Sequence, residues 1–152
     1  MSNILDTGAA MTFDEKNTWI YGVVALVAYG GYVATVLLRA HGASVVEVAY
    51  IGPLLWSVGA AVVAAVLGKV VVAARWPQEA DQRDDRDREI DRFGEHVGQS
   101  FLVVGLVAAL VLAMRELDPF WIANAAYLAF VLSAAVGSAA KIAAYRGGFQ
   151  PW

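Results

Sequence analysis

The sequence contains no cysteine, so disulfides, thiol nucleophiles and cysteine-ligated metals are excluded. Histidine is nearly as scarce, with His41 and His96 the only two. Charge is thin: 16% of the residues are charged, where soluble domains carry about 25%. The formal net charge of −3 gives no whole-chain attraction to nucleic acid, so no direct nucleic-acid binding is expected. A nucleophile-elbow GxSxG, an HExxH pair and a phosphate-binding loop are all missing. The chain is therefore read as non-enzymatic, with no catalytic residue, cofactor or metal site to assign. A basic leader ahead of a short apolar core is also lacking. The residues before the first apolar block carry Asp6, Asp14 and Glu15 against Lys16, and that block is expected to be an uncleaved span.

Apolar residues are what the chain has in excess. They make up 59% of it and gather into four blocks, at about 18–38, 45–74, 97–114 and 119–145. A bilayer core about 30 Å thick needs roughly 20 residues of helix, and a helix pairs every backbone polar group inside lipid. The fold class expected is all-α: an integral membrane protein forming one domain over 1–152, with four transmembrane helices. The links at Arg39–Ser44 and Arg115–Asp118 are too short for anything but antiparallel hairpins. Asp118-Pro119 reads as a helix start, with Asp capping and Pro in the first turn, while Gly147-Gly148 and Pro151 end the last span.

Basic residues set the expected orientation. Lys16, Lys69, Arg75, Arg83, Arg86, Arg88, Arg92, Lys141 and Arg146 fall on one side, Arg39 and Arg115 on the other. The termini and the 76–96 loop are thus expected in the cytoplasm of a cell-membrane protein, with His41 and His96 on opposite faces and unable to pair on one haem. The endings Gly68-Lys69-Val70 to Arg75 and Ala140-Lys141-Ile142 to Arg146 point to a parallel repeat of a two-helix unit.

Small residues let helices approach closely in lipid. Gly30 and Gly31 in the first span, Gly94, Gly98 and Gly105 in the third, and Gly137 in the fourth are the expected packing positions, within the bundle or across a homodimer. Pro53 inside the second block should remove a backbone hydrogen bond and kink the helix near Ala49. Ionisable residues inside spans mark transport paths. Here Glu47, near the outer end of the second block, and Asn124, one turn into the fourth, are with Pro53 the candidates for a small oligomeric channel or transporter; the alternative is that Glu47 sits at the interface or pairs with Arg39 or Arg115 and that Asn124 hydrogen-bonds across helices. No span has an acid at its centre, which argues against a proton-coupled exporter.

The 76–96 loop is the most distinctive segment. From Arg75 to His96 inclusive the sequence holds five arginines and eight acidic residues. The pairs Asp84/Arg88, Arg83/Asp87 and Glu89/Arg92 have helical spacing, each worth about 0.2–0.5 kcal/mol. Ile90, Phe93 and Val97 recur at the same period. The segment is expected to be a charged helix from about Asp81 running into the third span, with Ile90 and Phe93 on its buried face. Cation binding is disfavoured by the interleaved arginines and the lack of an EF-hand glycine. Lipid headgroups could meet the arginines. Docking of a cytoplasmic protein through Arg83, Arg86, Arg88, Glu89 and Arg92 is the reading preferred here.

The run Arg83-Asp-Asp-Arg-Asp-Arg-Glu-Ile-Asp91 before the third span, with the ending Lys141-Ile-Ala-Ala-Tyr-Arg-Gly-Gly-Phe149, resembles a family of small, uncharacterised four-span bacterial membrane proteins of actinobacterial type. The resemblance covers about Trp19 to Trp152. It implies a regulatory membrane protein working beside a small helix-turn-helix repressor, and it brings no catalytic residues to carry over.

Overall fold

The computed structural model describes residues 11–80 and 84–147, apart from the side chains of Glu79 and Ala80. Four long helices dominate: α1 (Phe13–Ala40), α2 (Ile51–Arg75), α4 (Asp85–Met114) and α5 (Pro119–Gly147), with a single turn α3 (Pro77–Ala80) between the hairpins. All four long helices are long and apolar enough to cross a membrane. At 1.5 Å per residue they run about 38 to 45 Å, longer than a bilayer core about 30 Å thick. The chain is a multi-pass, all-α membrane protein with no strand among the described residues.

Local chemistry explains the ends. Thr12 caps α1 by accepting from the Glu15 N–H, and Asp14 and Glu15 place negative charge on the amino-terminal end of the helix dipole. Asp84 caps α4, and Asp87 reaches back to the Asp84 N–H to complete a capping box. The α4–α5 link closes with Leu117 N–H on Leu112 O and Glu116 N–H on Ala113 O, the paired bonds of a Schellman cap. That geometry puts Glu116 at φ +53°, where glycine is more usual. Asp118 Oδ1 then accepts from Phe120 N–H at 2.8 Å, so Asp118-Pro119 opens α5 as the sequence indicates.

Packing follows the small residues. α4 and α5 lie against each other along their length, α1 lies on α5, and α2 lies on α1. The α4–α5 seam is so tight that a Cβ on Gly98 would stand 2.7 Å from Ser133 O, and one on Gly94 2.9 Å from Gly137 O. Gly105 sits on Ala129, Gly22 on Ser138 and Gly68 on Ile20. α2 and α4 have no comparable face in common, which leaves the bundle open along one side.

Several expectations change. The second block does not start at Val45. Residues Val45–Glu47 form a 3-10 turn, Val45, Val46, Val48 and Tyr50 pack on the bundle end, and α2 begins at Ile51. Pro53 therefore falls in the first turn, where the N–H it lacks would have no helical partner, and the kink near Ala49 has no helix to bend. Gly30 and Gly31 take no part in packing within the bundle: among the described residues of the chain, a Cβ on either would meet no atom within 4 Å. α4 starts at Asp85, continuous with the span as expected. Ile90 is fully buried, but Phe93 is 41% exposed, because α5 covers only the face carrying Ile90, Gly94 and Gly98. Asp84 serves as a cap instead of pairing with Arg88, whose contact is Asp85 at 3.8 Å.

Candidate functional site: a polar cleft and an aromatic plug

Two polar regions lie inside the bundle, one in each half. In the half away from the termini, Tyr29, Tyr32 and Tyr127 form an aromatic cluster, with the Tyr29 and Tyr32 rings edge-on to Tyr127 at 5.3 and 5.4 Å. Tyr32 OH donates to Asn124 Oδ1 at 2.8 Å, and Asn124 Nδ2 donates to Phe120 O. Ser57 Oγ donates to Ala28 O at 2.8 Å and so receives the Tyr127 hydroxyl proton at 2.5 Å. These bonds join α1, α2 and α5 and satisfy the hydroxyls of Tyr32, Ser57 and Tyr127, as lipid-buried polar groups require. Tyr32, Val36, Phe120, Tyr127 and Val131 form the buried core around them.

This cluster decides how the transport candidates sit. Asn124 is an interhelical hydrogen-bonding group locked to Tyr32. Glu47 lies exposed on the 3-10 turn outside the spans, with no ion pair among the described residues. Pro53 lines a sideways-opening groove of about 590 Å³ between α1 and α2, beside Gly31, Gly52 and the 81% exposed Trp56. Glu47 and Asn124 do not line that groove.

The half bearing the termini holds a cleft of about 750 Å³, into which all four long helices contribute. Its charged lining comprises Asp14 of α1, Lys69 of α2, Asp91 and Glu95 of α4, and Lys141 of α5. Lys141 Nζ meets Asp91 at 2.9 Å, with both side chains about four-fifths buried (18% and 24% exposed). Lys141 lies across Gly94, and the missing Cβ is what allows that approach. At the rim, Arg146 binds Glu15 Oε1 at 3.1 Å and stands 5.8 Å from the Trp19 ring, while Lys16 lies 4.0 Å from the Trp76 ring. Asn17 lines the cleft too, and its Oδ1 is buried with no hydrogen-bond partner among the described residues.

The sequence reading did not identify this cleft. One signal was present: Asp91, Gly94, Gly98 and Gly105 fall on one helical face, so an acid shares the small-residue stripe and must meet whatever that stripe packs on. Among the docking candidates, Arg86, Arg88, Glu89 and Arg92 lie exposed on the first turns of α4. Arg83 lies outside the described residues. Among the described residues no cluster of three histidine or carboxylate side chains could hold a metal.

The helices and the cleft define a four-helix multi-pass membrane protein with a mixed-charge recess at one end. No family model, no curated protein and no solved structure matches the chain.

Proposed function

We propose that this is a non-enzymatic regulatory protein of the cell membrane, with both termini and the 76–96 segment in the cytoplasm, that relays a membrane state to a cytoplasmic protein through the charged start of α4. One observation carries the reading: α4 is a single capped helix that continues for three turns beyond its apolar stretch. Ile90 and the Asp91–Lys141 pair clamp this extension onto α5, so Arg86, Arg88, Glu89 and Arg92 are displayed on a rigid arm. A tilt or shift of the span moves that face with it, because a helix transmits displacement along its axis. The resemblance to four-span bacterial proteins that accompany a repressor points the same way.

The test is affinity purification from native membranes in mild detergent. Changing Arg86, Arg88 and Arg92 together to Glu should abolish co-purification of a soluble partner, while reconstituted vesicles stay impermeable to ions in both forms. Retention of the same partner by the variant would sink the docking role, and a flux through the wild-type protein would favour the channel reading. Orientation is checked separately. The chain has no native cysteine, so Glu89→Cys should react with an impermeant thiol reagent only in opened cells, and Ser44→Cys in intact ones.

A further inference from the structure

The open side of the bundle coincides with the polar cleft. α2 and α4 do not pack together, and the cleft lies where they would meet. Lys69 on α2 and Glu95 on α4 are opposite charges lining this one space, and neither has an ion-pair or hydrogen-bond partner among the described residues. The charges deeper in the cleft are already engaged, since Lys141 is held by Asp91. Leu102, two turns further along α4 than Glu95, and Ala134 of α5 also line the cleft. A polar mouth at the end of the spans thus gives way to Leu102 and Ala134, beside Ser133, toward the bilayer centre.

We infer that this cleft seats the headgroup of a phospholipid whose phosphate is paired with a primary ammonium. The phosphate lies toward Lys69 and the ammonium toward Glu95. A single anion would suit Lys69 but face Glu95 and Asp14, and a single cation would meet Lys69 and Lys141. A zwitterion satisfies both sides without net charge. A primary ammonium carries three N–H donors, as a lysine does, and can give one to Glu95 and one to the unpartnered oxygen of Asn17, which a quaternary ammonium cannot. Ligand recesses generally fall between about 300 and 1,000 Å³, and this one, at about 750 Å³, is ample for a headgroup. The lateral opening between two membrane helices selects a lipid over a soluble zwitterion, because an acyl-linked ligand enters from the bilayer without leaving it.

The experiment is native mass spectrometry of the full-length protein, delipidated in mild detergent and offered equal amounts of phosphatidylethanolamine, phosphatidylcholine and phosphatidylglycerol. Phosphatidylethanolamine should be retained about tenfold over phosphatidylcholine, the effect of one charge-assisted hydrogen bond. Glu95→Gln should bring that ratio near unity, whereas Lys69→Gln should lower retention of both zwitterionic lipids together. Lys69→Arg, which keeps the charge, should preserve both the retention and the ratio, as should Arg39→Gln at the opposite end. Both target side chains are exposed, so folding should survive, and unchanged circular dichroism is the check. Equal retention of the two zwitterionic lipids, a preference for phosphatidylglycerol, a preference that persists in Glu95→Gln, or retention unchanged by Lys69→Gln would overturn the inference. Displacement of the lipid by excess free phosphoethanolamine would assign the cleft to a soluble zwitterion and overturn the lipid occupant.

Discussion

Replacing Gly98 by Ala tests how the bundle is held together. The added Cβ would stand 2.7 Å from Ser133 O and 3.5 Å from Gly137 Cα. A relaxed C···O contact is about 3.3 Å, so α4 and α5 must part locally by about 0.6 Å. The obstructing oxygen belongs to a helix backbone and cannot swing aside. Separation loosens the neighbouring Gly94–Gly137 and Gly105–Ala129 approaches as well. Overpacking of this kind costs about 1–3 kcal/mol, against which alanine recovers about 0.5–1 kcal/mol over glycine in a helix. Gly98→Ala should therefore destabilise by about 1 kcal/mol, with roughly 2.5 kcal/mol the upper bound of the same subtraction. Gly31→Ala is the internal control. Nothing lies within 4 Å of its Cβ, so it keeps only the backbone gain and should stabilise by about 0.5–1 kcal/mol. Reversible unfolding in mixed micelles by added sodium dodecyl sulfate, followed by tryptophan fluorescence, should move the two midpoints in opposite directions. Midpoints that move together, or a Gly98→Ala protein as stable as wild type, would refute the claim that backbone contact sets the α4–α5 distance.

Asn124→Leu should leave the Tyr32 hydroxyl without its acceptor and destabilise by about 1 kcal/mol, the scale of interhelical hydrogen bonds in membranes. The same variant should leave ion permeability of reconstituted vesicles unchanged, and a changed flux would restore Asn124 to a transport path. Asp91→Asn and Lys141→Met should each destabilise by about 1–2 kcal/mol, with the double variant less destabilised than their sum, because removing one partner strands the other in a mostly buried site. Additive losses in a double-mutant cycle by the same unfolding assay would show that the pair is not coupled.

Much of this architecture can be read directly from residue order. Four apolar runs of bilayer length, short polar links, the Asp118-Pro119 start and the continuity of the charged segment into the third span all follow from local rules: hydropathy, capping and chain length. Such rules failed where an element's boundary depended on tertiary contact. Val45, Val46 and Val48 are as apolar as a span, yet they pack as a connecting turn over Tyr32 and Phe120, since the bundle end offered a surface to cover. Moving the helix start to Ile51 then turned Pro53 from a kink into a first-turn residue and left Glu47 outside the spans.

The stripe of small residues was visible in each span, but which stripe would be used was not. Gly94, Gly98, Gly105 and Gly137 press α4 on α5, whereas Gly30 and Gly31 face open space, and the two sets are alike in composition. Asp91 and Lys141 are far apart in sequence, and nothing local indicates that they meet.

The sequence alone determined that the chain crosses the membrane four times, because the cost of burying unpaired backbone in lipid depends only on the length and polarity of each run. The three-dimensional arrangement decided the rest: the order α2–α1–α5–α4, the seam left open between α2 and α4, and the charged recess behind it. Those features depend on which helix faces come within van der Waals reach of one another, and dispersion and ion pairing fall off too steeply with distance to be assigned before the helices are placed.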